Sequence, residues 1–137
     1  MTKRFMTFFV LLACIAMVGC GKRDDEVNAV MKDLDTFTTE VVGKISSAKD
    51  PASGLIEAQK YFDAQKAGIK KKFDSIKNIR GFQISEEIKK KMEDGITKNV
   101  TSIASLQITY MSRTVEDKKI ETSLEKLISD YEDLLKV

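Results

Sequence analysis

Histidine and tryptophan are absent from this chain of 137 residues, proline occurs once, and both cysteines fall within the first twenty positions. Without histidine the usual proton-transfer base at neutral pH is gone. Without a cysteine beyond Cys20, the thiol nucleophile and most transition-metal ligands go with it. No glycine-rich phosphate loop and no haem-attachment cysteine motif occurs, so the helical cytochromes are excluded on residues. The carboxylates lie mainly outside the apolar positions described below, where a solvated face is their ordinary role. The expectation is a protein that is not an enzyme and binds no metal or dissociable cofactor. With cysteines only at 14 and 20, no disulfide can form within residues 21–137, and stability must come from packing.

What is present begins at the N-terminus. Lys3 and Arg4 precede an apolar run from Phe5 to Val18, broken only by Thr7, and small Gly19 stands directly before Cys20. Met17, Val18, Gly19 and Cys20 resemble the lipobox of bacterial lipoproteins, in which a small residue precedes a cysteine that takes a diacylglyceryl thioether. Met17 departs from the pattern, which usually has leucine there. The resemblance covers residues 1–21 and no more. It implies a cleaved signal peptide at 1–19, diacylglycerol and an acyl chain such as palmitate on Cys20, a tether at 20–23, and a domain at 24–137. Cys14 follows Leu11, Leu12 and Ala13 and is a second lipobox core. Cleavage there would strand the apolar residues Ile15–Val18 on the mature chain, which favours Cys20. An uncleaved membrane span fits less well, because the run has 14 residues and a span needs ~20. In a host with two membranes, Gly21 resembles the signal for the periplasmic face of the outer membrane.

Setting Lys3 and Arg4 aside leaves 21 basic against 21 acidic residues. A neutral domain lacks the positive field that draws proteins to nucleic acid, so that partner class is excluded. The remaining length suffices for one domain with a modest core.

The pattern after Cys20 is helical nearly throughout, and the fold class it predicts is an all-α antiparallel bundle of three or four helices. Val27, Val30, Leu34, Phe37, Val41, Ile45 and Ala48 recur at spacings of three and four, which places them on one helix face. Asp50 and Pro51 form a cap and first-turn proline for a second helix, whose stripe runs Leu55, Ala58, Phe62, Gln65, Ile69, Phe73 and Ile76. Gly81 is placed to end it in a left-handed conformation, with Phe82 folding back. Ser85 caps a third helix with Glu86 and Glu87 in its first turn and a stripe from Ile88 through Met92, Ile96, Asn99, Ile103 and Leu106 to Tyr110. If both loops are tight turns, Phe37 falls opposite Phe62 and Phe73 opposite Met92, so the helices share core layers.

The last stripe, Ile120, Leu124, Leu127, Tyr131 and Leu134, has no glycine or proline before it to announce a turn. Thr114 with Asp117 has the spacing of an imperfect capping box, favouring a turn at 112–115 and a fourth helix. The alternative is one continuous helix ~75 Å long at 1.5 Å per residue, which would bury its last stripe by self-association.

Gln65 and Asn99 occupy apolar-stripe positions on one level. Either they reach water at the stripe edge, or they form a buried polar layer that fixes register, since a slip would leave amides unpaired at ~1–3 kcal/mol each. Gly68 and Gly95 lie nearby and fit a close approach of helices two and three, tolerated defects, or a small cavity. Between residues 66 and 98, ten basic residues face five carboxylates. Lys70, Lys71, Lys72, Lys89, Lys90 and Lys91 surround the second loop, which would return toward the bilayer beside the tether as a headgroup contact. Two functions follow as expectations. One is an envelope-anchored interaction or scaffold module with a protein partner; the other is a small-ligand or lipid carrier using the bundle interior.

Overall fold

The computed structural model describes residues 23–136; the leader, Cys20 and the tether as far as Lys22 lie outside the described residues. Five α-helices and one 3₁₀ turn follow in order, with no strand among the described residues. They are α1 Asp24–Ser46, α2 Pro51–Lys77, the turn Gly81–Gln83, α3 Glu86–Thr109, α4 Met111–Glu116 and α5 Lys118–Leu135. None of these helices is long and apolar enough to cross a membrane.

Each long helix forms where local chemistry marks its start. Asp24, Asp25 and Glu26 in the first turn of α1 complement the helix dipole. The Asp50 carboxylate accepts from the backbone N–H of Ser53 at 2.8 Å and of Ala52 at 3.3 Å, with Pro51 at the first position of α2. Ser85 Oγ accepts from Ile88 N–H at the start of α3. The break before α5 comes in two steps, at Tyr110 and at Asp117. Asp117, rather than Thr114, caps α5 by accepting from Lys119 N–H at 2.8 Å, because the Thr114 hydroxyl instead donates back to Met111 O.

Burial follows the helical spacing closely. Six of the seven first-stripe residues, Val27 to Ile45, are buried, as are all five of the last stripe; the seventh, Ala48, lies half-buried beyond the end of α1 at Ser46. Because α5 turns back, the last stripe, which the single-helix alternative would have buried by self-association, is buried within its own chain. Phe37, Phe62 and Tyr131 meet at the centre, with ring centroids 5.5, 6.2 and 6.4 Å apart.

The helices are arranged with α1 packed against α2 and α3, and α5 packed against the same two from the other side. Phe37 against Phe62, and Lys72 bonded to Asp33 at 2.7 Å, show α1 and α2 running antiparallel. Asp24 paired with Ser85 N–H, and Asp35 with Lys98, show α1 and α3 running parallel. Thus α2 and α3 are diagonal, and the level-by-level pairing expected between them does not occur. The reason is the connector: the eight residues from Asn78 to Ser85 exceed a tight turn of 2–5 and let the chain cross to the far side of α1. The helix ends at Lys77, Gly81 has no positive φ, and Phe82 is 78% exposed rather than folded back.

Lengths then divide the molecule in two. Ala52 and Ile56 line one groove with Lys118–Ser123, so α2 and α5 start level. Their 27 and 18 residues span about 40 and 27 Å at 1.5 Å per residue. The half holding the starts of α2 and α5 has four helices, whereas the half holding the start of α1 has three.

Candidate functional site

Asn99 is buried at 2% exposure, but Gln65 is exposed, so the two do not form a layer. Gln65 falls where α2 nears the end of its cover by α5. Asn99 instead turns to α1: its Nδ2 donates to Asp35 Oδ1 at 2.9 Å and to Gly95 O at 2.8 Å. Lys98 Nζ donates to both Asp35 oxygens, at 2.9 and 3.1 Å. The Lys98 ammonium, and then Asn99, hold the Asp35 carboxyl below its ordinary range. A second polar contact crosses the core. The Thr38 hydroxyl donates to Leu34 O at 2.8 Å, and that uses its single proton; the Tyr131 hydroxyl, 2.5 Å away, must therefore be the donor to Thr38. Burial pushes the Tyr131 phenol up to about 12.

Neither Asp35 nor Thr38 was singled out in the sequence. Their signal is spacing: they stand three apart on the shoulder of the α1 stripe, beside Leu34 and Phe37, where they face α3 and α5. Both polar contacts are closed among protein groups, and their chemistry is that of register and packing.

The glycines separate likewise. A Cβ on Gly68 would meet nothing within 4 Å, whereas one on Gly95 would come within 2.8 Å of Met31 Cε on α1. The expected approach of α2 to α3 is therefore replaced by one of α3 to α1. The tightest approach is at Gly54, where a Cβ would lie 2.9 Å from Ile45 Cα and 2.8 Å from Ala48 Cβ.

All six lysines expected at the headgroups are exposed. Lys70 pairs with Asp74, Lys72 with Asp33 and Lys91 with Glu87, while Lys71, Lys89 and Lys90 have no ion pair among the described residues. The net positive field of the cluster is correspondingly smaller than the count of lysines implies. Cys20 itself lies outside the described residues.

The connector carries the detail that sequence reading missed. Arg23 N–H donates to Gln83 O at 2.8 Å, Ser85 N–H to Asp24 Oδ1 at 2.9 Å, and Arg80 N–H to Gln83 Oε1 at 2.9 Å. With Ile84 buried and Ile79 half-buried, the connector is pinned across the start of α1, beside Arg23.

At the opposite end three large apolar side chains are exposed among polar and charged ones. Ile108, Met111 and Val115 are 78, 64 and 84% exposed, the first near the end of α3 and the other two on α4. Ile108 and Met111 border a groove of about 320 Å³ with Thr114 and Leu124. The grooves near Ile56 and Leu55 are likewise open clefts between α2 and α5. Among the described residues no three Asp or Glu side chains converge on a metal-sized site. No family model, no curated protein and no solved structure matches the chain.

Proposed function

We propose that this chain is a lipoprotein of the bacterial envelope, anchored through acylated Cys20, whose helical bundle serves as a non-catalytic interaction module. In a host with two membranes it stands on the periplasmic face of the outer membrane. The observation that carries this reading is polarity of the molecule: Arg23, which follows the proposed tether, stands at one end, and the exposed Ile108, Met111 and Val115 lie at the other. An anchored domain presents its distal end to the aqueous compartment, and exposed apolar side chains grouped there with a polar rim are the kind of surface that a protein partner covers. The carrier reading has less support, since the largest central side chains, Tyr131, Phe37, Phe62 and Leu34, fill the space between the helices.

A photoreactive residue at position 111, in cells making the full chain, tests the reading. The expected result is one discrete adduct in intact envelopes that Val115→Asp abolishes. The same adducts from a photoreactive residue at exposed Lys60 would refute the docking surface. Recovery of co-purified lipid, identified by mass, would favour the carrier.

A further inference from the structure

Among the described residues Phe82 is the one large apolar side chain exposed at the end where α1 starts, with 78% of its surface free, and it sits on a connector that is not loose. Ile79 and Ile84 turn inward on either side of it, and the 3₁₀ turn Gly81–Gln83 is closed by Gln83 N–H donating to Arg80 O at 2.8 Å. Scattered exposed apolar residues are ordinary on soluble surfaces. Here position adds to exposure. The residue next to Phe82, Gln83, holds the Arg23 amide at 2.8 Å. From Arg23 to Cys20 the chain has three residues, which even fully extended reach only about 11 Å at 3.3–3.6 Å per residue. An acyl group on Cys20 would therefore bring the bilayer surface within about 11 Å of Arg23, one hydrogen bond from this connector, near the combined reach of a phenylalanine ring and a headgroup layer ~5–7 Å deep.

We infer that Phe82 inserts into the lipid interface and that the crossover connector, not the lysine cluster, sets how the domain stands on the membrane. The inference rests on the acyl anchor at Cys20 and names the surface that the anchored domain lays against the lipid. An amphipathic or aromatic side chain at headgroup level gains from leaving water, and Phe serves there as Trp and Leu do. The surrounding charge is mixed. Arg80, Lys89 and Lys90 have no ion pair among the described residues, but Asp25 and Glu86 are exposed on the adjoining helix starts. The contact is therefore primarily apolar, and anionic lipid adds little to it. Two points of attachment, the acyl chains and the Phe82 ring, fix tilt where one would leave the domain free to swing.

Because the chain has no tryptophan, Phe82→Trp places a single indole at the site, and its exposure means that the substitution disturbs no packing. The full chain carrying F82W is produced in a bacterial host that processes lipoproteins, purified with its acyl group, and reconstituted into vesicles of zwitterionic lipid. A second sample contains brominated acyl chains, and Ile108→Trp, at the distal end, serves as the control. Flotation reads the anchor, and indole emission reads the insertion. The inference expects a protein that floats, with F82W emission shifted to the blue and quenched by bromine, and with I108W emission as in water. A floating protein whose F82W emission matches that in water overturns the inference and leaves the anchor standing. A protein that does not float overturns both. A blue shift found only in native envelopes, and not in pure lipid, assigns the ring to a protein partner and overturns the lipid assignment.

Discussion

The two halves of this molecule are built from the same helices but packed differently. In the tether-distal half α1, α2, α3 and α5 enclose Phe37, Phe62, Leu127 and Tyr131, each under 2% exposed or nearly so. In the tether-proximal half α5 has ended, and Ile69, Met92 and Ile96 are only partly covered by the three helices that remain. Buried apolar area is the dominant stabilising quantity, so the first half holds the fold and the second is easier to open. That division suits a domain whose proximal end would be supported by a membrane surface and whose distal end would stand alone in water.

The largest test of this contrast is truncation of one core side chain in each half. Phe62→Ala should cost about 3–5 kcal/mol, enough to unfold much of a small domain, whereas Ile69→Ala should cost under about 2 kcal/mol. Urea unfolding measures both, and equal costs would erase the distinction between the halves.

The second test uses pH. Burial raises the Tyr131 phenol to about 12, above its ordinary 10.0. The folded state therefore holds its proton more tightly than the unfolded chain does. The stability this confers is complete below pH 10 and is lost as pH rises toward 12, by about 2–3 kcal/mol at 1.36 kcal/mol per unit. Tyr131→Phe should flatten that part of the stability profile while costing about 1 kcal/mol at neutral pH for the lost bond to Thr38. An unchanged alkaline profile would remove Tyr131 from the centre of the core.

Smaller effects come from glycine. Gly54→Ala forces a methyl against the Ile45 backbone and should cost about 1–3 kcal/mol. Gly68→Ala enters open space on the narrower half and should stabilise by up to about 1 kcal/mol. Thermal unfolding of the pair gives opposite signs if the close approach is where Ile45 meets Gly54.

Much of this was legible in the residues because helical periodicity reports burial directly. The stripe positions from Val27 to Ile45, and from Ile120 to Leu134, are buried as their spacing put them, and only Ala48 of the first stripe falls past its helix. Asp50, Ser85 and the pairing of Phe37 with Phe62 were equally readable, since capping and short-loop geometry are local. What failed was long-range. Gln65 and Asn99 share a level along the sequence, but the eight-residue connector sends α3 to the other side of α1, and Asn99 finds Asp35 instead. Gly81 was read as a helix terminator when its place is in a 3₁₀ turn, because the hydrogen bonds of Arg23 and Asp24 that pin the connector come from the other end of α1. Connector length, not composition, was the overlooked signal.

The proposed anchor is tested most directly by metabolic labelling of the full chain with palmitate, comparing wild type with Cys20→Ser. The account predicts label on the wild-type protein alone, together with release of the variant from the membrane fraction. An unlabelled wild-type protein, or a variant that still sediments with envelopes as before, would contradict it.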